Sequence, residues 1–132
     1  ANFQDQVTSN PTSFAQEGAV AALRMPDAEI ESMRAEFEAR RDLVLAGLDA
    51  IGGLTTAVPQ GAFYVFPNVS KYLGGRCADD VALANHILEE GLVATVPGSV
   101  FEGPNHIRLS YAASREQLKT ALDRIARVLH SL

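Results

Sequence analysis

An α+β fold is predicted: a two-layer small domain with a small, mainly antiparallel sheet and helices on one face, preceded by a long connecting helix. Three observations predict it. The elements run helix, long helix, strand, strand, helix, strand, strand, helix, so strand pairs are separated by helices. The charged segment from about Ala28 to Ala50 carries apolar residues at helical spacing. The segment His106–Tyr111 alternates polar and apolar residues, the period of a half-buried strand.

The opening stretch, ANFQDQVTSNPTS, is polar and reads as a loop feeding a helix; without a Met at its head it reads either as mid-protein or as a chain whose Met was removed. The first helix is expected after Asn10-Pro11-Thr12, because a proline disfavours helical backbone at the residue before it and Thr12 or Ser13 suits a cap. Gly18, Ala19, Ala21 and Ala22 would let another element approach closely. Met25-Pro26-Asp27 breaks this helix, and Asp27 is the expected N-cap of the next, with Glu29 and Glu31 at the positive end of its dipole.

In the long helix, Ile30, Met33, Phe37, Val44, Leu48 and Ile51 form one apolar stripe. Glu36 and Arg40, four apart, suit a solvated outer face. About 35 Å of rod is more than a small core needs, so the helix is expected to join two bodies. Gly52-Gly53 should end it.

Leu54–Val58 reads as a short strand, Pro59-Gln60-Gly61 as a turn, and Ala62–Phe66 as a second strand closed by Pro67-Asn68. Asp79 is the expected cap of a helix over Val81–Glu90, with Val81, Ala84, Ile87 and Leu88 inward and Gly91 as its stop. Leu92–Val96 reads as a strand ended by Pro97-Gly98, and His106–Tyr111 as the last strand. Ser114 with Gln117 forms a capping box opening a helix that carries Leu118, Leu122, Ile125, Val128 and Leu129.

Charge and composition exclude several functions. A formal charge of −5 over 132 residues argues against nucleic-acid binding. No apolar run reaches the roughly 18 residues of a membrane span. One cysteine, Cys77, rules out an internal disulfide and a multi-thiolate metal site, which fits a reducing cytoplasm, the expected location. His86 and His130 have no second ligand at helical spacing, so no metal site is indicated. His106 has no partner nucleophile in the pattern. Cys77 sits in the polar Gly74-Gly75-Arg76-Cys77 segment, where Arg76 could lower its pKa, but a bystander thiol is the simpler reading.

Arg108 stands between His106 and Ser110, opposite the apolar Ile107, Leu109 and Tyr111. A mid-strand arginine is commonly a surface or ion-paired residue. The other reading is a carboxylate clamp, since a guanidinium offers a planar fork of donors that a lysine cannot. Neither Gln60-Gly61-Ala62-Phe63 nor Val96-Pro97-Gly98-Ser99 is a phosphate loop. Phe63 reads as core on pattern, and Ser9-Asn10-Pro11 as a turn.

Taken in order, TSNPTSFAQEGAVAAL, the RRD of the long helix, PQGAFYVFPN, GLVATVPGSVF and HIRLSYAAS resemble the C-terminal part of the fold-type I, class I/II aminotransferases, the aspartate aminotransferase family. The resemblance extends over nearly the whole chain. It implies a pyridoxal 5′-phosphate enzyme exchanging an amino group between an amino acid and a 2-oxo acid. It implies that Arg108 binds the substrate α-carboxylate, that Phe63 walls the pocket, and that Ser9 and Asn10 approach the cofactor phosphate of the second subunit of a homodimer. Residues 1–25 would be the tail of the large cofactor domain, and 26–132 the small domain that swings over substrate.

The family's Schiff-base lysine has no counterpart. Lys71 and Lys119 are the only lysines, and neither sits in a matching motif, so the chain alone is expected to bind no cofactor and to be inactive. Four residues before Ser9, where some family members place an arginine for a distal carboxylate, stands Asp5, which would repel one. Another fold-type I enzyme, a lyase or decarboxylase, is the alternative within the fold, and a non-catalytic ligand-binding or oligomerisation module the alternative outside it.

Overall fold

The computed structural model describes residues 2–132, with the side chains of Asn2, Gln4 and Asp5 outside that description. The chain divides into two compact units, Ala1–Arg34 and Ala35–Leu132.

Within the first unit lie α1 (Asn2–Val7), α2 (Ser13–Leu23) and the beginning of α3 (Asp27–Ile51). α1 falls where the sequence suggested a loop; no glycine or proline interrupts the backbone before Asn10-Pro11, so one polar helical turn forms there. Thr12 occupies the cap position of α2 but its side chain makes no capping bond, and no residue of α2 is buried. Asp27 is the first residue inside α3 instead of its cap. Ile30 and Met33 are exposed, 55% and 58%, so the apolar stripe becomes core only in the second half of the helix.

In the second unit that half of α3 supplies Val44, Leu48 and Ile51 to the core. Gly52 and Gly53 follow at φ 76° and 71°, the left-handed region where glycine carries no penalty. α4 (Asp80–Gly91) is capped by Asp79, whose carboxylate accepts from the Ala82 N–H at 2.8 Å. α5 (Arg115–His130) opens on the complete capping box: Gln117 N–H donates to Ser114 Oγ, and Ser114 N–H to Gln117 Oε1. Its buried residues are the five that the spacing names.

Three short strands, β1 (Tyr64–Val65), β2 (Val96–Pro97) and β3 (Ile107–Ser110), form an antiparallel sheet in the order β1-β3-β2. Val65, Ile107, Leu109 and Tyr111 face the helices in one core with Leu83, Ile87, Leu118, Ile125 and Leu129. The helical layer and the antiparallel sheet are those the sequence predicts.

Several local expectations are corrected. Leu54–Val58 is not a strand; it makes one bridge, Thr55 to Asn68. Both edges of β3 are already taken by β1 and β2, leaving this segment only the periphery. The predicted Ala62–Phe66 strand shrinks to Tyr64–Val65, and the predicted Leu92–Val96 strand is paired only at Val96, with Pro97, its expected end, completing β2. On α4, Leu83 points inward, whereas Val81 and Leu88 are exposed. Gly91 lies within the helix and its place as stop is taken by Leu92, at φ 53°. Gly91 is buried against α5, where an added Cβ would meet Val128 Cγ2 at 3.2 Å, so this glycine serves close helix packing. Cys77 closes the polar Gly74–Cys77 turn with its side chain buried in the core.

Candidate functional site

The face of the sheet away from the helices carries the candidate arginine. Register places its side chains: Tyr64 pairs with Ser110, and Val96 with Arg108. Directly opposed residues share a face, and so do Arg108 and Ser110 two apart on β3. Arg108 thus projects from the central strand, half-buried, between β1 and β2.

Its guanidinium lies over two aromatic rings, with Cζ 4.4 Å from the Tyr64 centroid and 4.3 Å from that of Phe101. Tyr64 comes from the β1 flank and Phe101 from the 3₁₀ turn Gly98–Phe101 that follows β2. Among the described residues no carboxylate lies in ion-pair range of Arg108. The ion-paired reading of this arginine finds no partner among the described residues.

The turn that carries Phe101 is tied down on all sides. Gly98 N–H donates to His106 O at 2.7 Å and Gly103 N–H to Gly98 O at 3.0 Å. Ser99 N–H donates to Oδ2 of the buried Asp80 at 2.6 Å, a carboxylate also favoured by its place in the first turn of α4.

Phe63 is 40% exposed, which overturns the core reading of the pattern. Its ring packs on Tyr64 at 4.6 Å and on Phe37 of α3 at 6.2 Å between centroids. The backbone there is held by Tyr111, the residue after β3: its N–H donates to Phe63 O and its Oη to Ala62 O, both at 2.9 Å. Ala62 sits at φ 57°, a strained conformation that these two bonds stabilise. Phe63 and Arg108 are therefore brought together through Tyr64, which both contact. Tyr64 and Phe101 are not among the residues the sequence singles out. The register could have found Tyr64, while Phe101 reaches Arg108 only by way of the turn.

The remaining candidates have other work. His106 stacks flat on Phe66, 4.9 Å and 9° between rings. Its Nδ1 meets Pro104 O at 2.8 Å and its Nε2 the Asn68 amide nitrogen at 3.4 Å; these partners assign the proton to Nδ1. Burial pushes the Cys77 thiol pKa up, against the weaker opposite pull of Arg76, so the thiolate is disfavoured. Glu36 accepts from Arg115 at 2.5 Å and from Arg40 at 2.7 Å; these bonds, Arg115 first, hold its pKa down to about 2. That network fastens α3 to the start of α5. In the first unit Ser9 is exposed at φ 59°, its hydroxyl only loosely paired with Asn10 Oδ1 at 3.5 Å. The Asp5 side chain, weighed for specificity, lies outside the described residues.

Against known proteins, the sequence model of the family described as "Aminotransferase class I and II" matches residues 1–125. The chain belongs to the class I and II aminotransferase family. It is 46% identical to the aspartate aminotransferase of Geobacillus stearothermophilus over 127 residues, covering 94% of this chain and 32% of that protein. The solved aspartate aminotransferase of Rhizobium meliloti superposes with a TM-score of 0.91 at 41% identity, covering 97% of this chain and 34% of that one. The Thermus thermophilus aspartate aminotransferase solved with maleate gives 0.85 at 41% identity, covering 96% and 32%. The chain spans about a third of the length of the curated relatives it matches.

In this member of the family the two lysines stand in separate hollows of the second unit. Lys119 lines a groove between α3 and α5 with Leu43 and Gly47. Lys71 lies beside Gly53 and lines a separate hollow with Leu129 and Leu132. Neither borders Arg108 or its rings. Among the described residues there is no cluster of metal-ligating side chains and no helix long and apolar enough to cross a membrane.

Proposed function

We propose that this chain is the substrate-closing part of a pyridoxal-phosphate aminotransferase that moves an amino group between an amino acid and a 2-oxo acid. Residues 26–132 are its small domain with the linking helix, and residues 1–25 belong to the cofactor domain. The observation that carries this reading is Arg108: a half-buried guanidinium, steadied by rings and free of any carboxylate among the described residues.

Arg108 binds the α-carboxylate that amino acid and 2-oxo acid share. Two parallel N–H···O bonds fix both its position and its plane. Phe63 and Phe101 line the approach and exclude water beside the ion pair, which strengthens it. Engagement of the carboxylate by a group on the small domain draws that domain over the substrate before proton transfer. Pyridoxal phosphate supplies the electron sink of the reaction. Its lysine and most of its binding groups come from residues outside this chain, so the chain alone is inactive. Ser9 and Asn10, exposed and loosely held, approach the cofactor phosphate of the second subunit. Aspartate is the first substrate to test: the relatives described are named for it, and one was solved with the dicarboxylate maleate.

The test is Arg108→Lys in the full-length enzyme. Losing the paired charged bonds costs about 1–3 kcal/mol, an increase of about five- to 150-fold in KM for L-aspartate and its 2-oxo-acid partner. An unchanged KM for both overturns the assignment.

A further inference from the structure

We infer that Tyr64 and Phe101 are positioning residues for the carboxylate clamp, holding the Arg108 guanidinium by its faces so that its in-plane N–H groups stay available to the ligand. This role rests on Arg108 being the carboxylate anchor.

A long, charged side chain waiting for an anion loses rotamer freedom when the anion arrives, and a support that fixes it beforehand lowers that cost. An acidic neighbour would fix it, but would compete for the same donors and cancel the charge the ligand needs. An aromatic ring does neither. It attracts the cation through its π-face and leaves the hydrogen-bonding edge of the guanidinium unoccupied. The structure sets Arg108 Cζ over both rings. Both rings lie within 4.4 Å of Cζ, and no hydrogen bond from the Arg108 side chain to another described residue competes for the edge.

Neither ring is a chance neighbour. Tyr64 is placed by strand register on the face that carries Arg108. Phe101 remains 47% exposed, more than burial of an aromatic would favour, yet its turn is fixed by the bonds of Gly98, Ser99 and Gly103. A phenylalanine held half in solvent by an anchored turn and laid on a guanidinium is explained by service to that cation.

The experiment compares Phe101→Leu with Phe101→Tyr, and Tyr64→Leu with Tyr64→Phe, in the full-length enzyme with L-aspartate as probe. The leucine variants keep bulk but lose the π-face, and should raise KM about three- to tenfold. Because the loss is chiefly in binding, it should fall on KM more than on kcat. The ring-retaining variants should recover most of the KM. The second pair decides the matter should Phe101→Leu fold poorly. KM values unmoved in both leucine variants, or Phe101→Tyr as impaired as Phe101→Leu, overturn the positioning role. Arg108→Lys run in parallel separates the two levels. A KM raised there but unmoved in the leucine variants removes the positioning role alone, and a KM unmoved in Arg108→Lys removes the anchor itself.

Discussion

Gly98→Ala should be among the most damaging single-methyl additions in this chain. A Cβ at residue 98 would lie 2.2 Å from Gly103 O and 2.7 Å from His106 O. Both oxygens belong to backbone already fixed, one of them by the 2.7 Å bond from Gly98 N–H itself. No flexible side-chain tip is there to yield, so either the turn opens or the start of β3 at His106 shifts. Overpacking of this kind costs about 1–3 kcal/mol, and immovable backbone puts it near the upper figure, about 3 kcal/mol. The folded body spans Ala35–Leu132, roughly 100 residues, for which each kcal/mol moves the melting temperature by about 4–8 °C. Thermal unfolding followed by circular dichroism should therefore show a drop of about 12–24 °C. Gly61→Ala is the matched control: its Cβ meets nothing within 4 Å, and it should stay within about 0.5 kcal/mol of the parent. A Gly98→Ala melting temperature within about 4 °C of the parent would refute the steric reasoning.

Two further outcomes test other parts of the fold. Glu36 is held at about 2, below the usual carboxylate range, by Arg115 and then Arg40. A depressed carboxyl contributes stability that is fully present above its unfolded pKa of about 4.3 and is lost as pH falls toward 2. The stability gap between parent and Glu36→Gln should be open at pH 6, close as pH falls through that window, and narrow with added salt because the pair is exposed; a gap constant from pH 6 to 2 refutes it. Leu92 caps α4 in the left-handed region while 73% exposed. Leu92→Gly removes the Cβ penalty with little loss of burial and should stabilise by about 1 kcal/mol, raising the melting temperature by about 4–8 °C; a decrease refutes it.

The parts legible in the sequence share one property: their signals are local or strictly periodic. Ser114 and Gln117 lie three apart and bond to each other. The five apolar positions of α5 repeat at helical spacing and are all buried. The alternation from Ile107 to Tyr111 assigns Arg108 to the face away from the core before any partner strand is known. Where two readings had equal local support, the pattern could not choose. Leu54–Val58 looks as strand-like as Leu92–Val96, and Phe63 looks like core.

The sequence by itself determined the α+β class, the helices of the second unit and the outward face of Arg108, because capping and periodicity act between residues a few positions apart. Tertiary structure alone decided that β3 is the central strand, that Cys77 is buried and Phe63 exposed, and that Gly91 is spent on packing against Val128. It alone brought Phe101 and Tyr64 to one guanidinium. Strand order and the Tyr64–Arg108 contact join distant parts of the sequence, and the nearer Phe101 reaches Arg108 only through a folded turn, so none of these contacts exists until the chain has closed on itself.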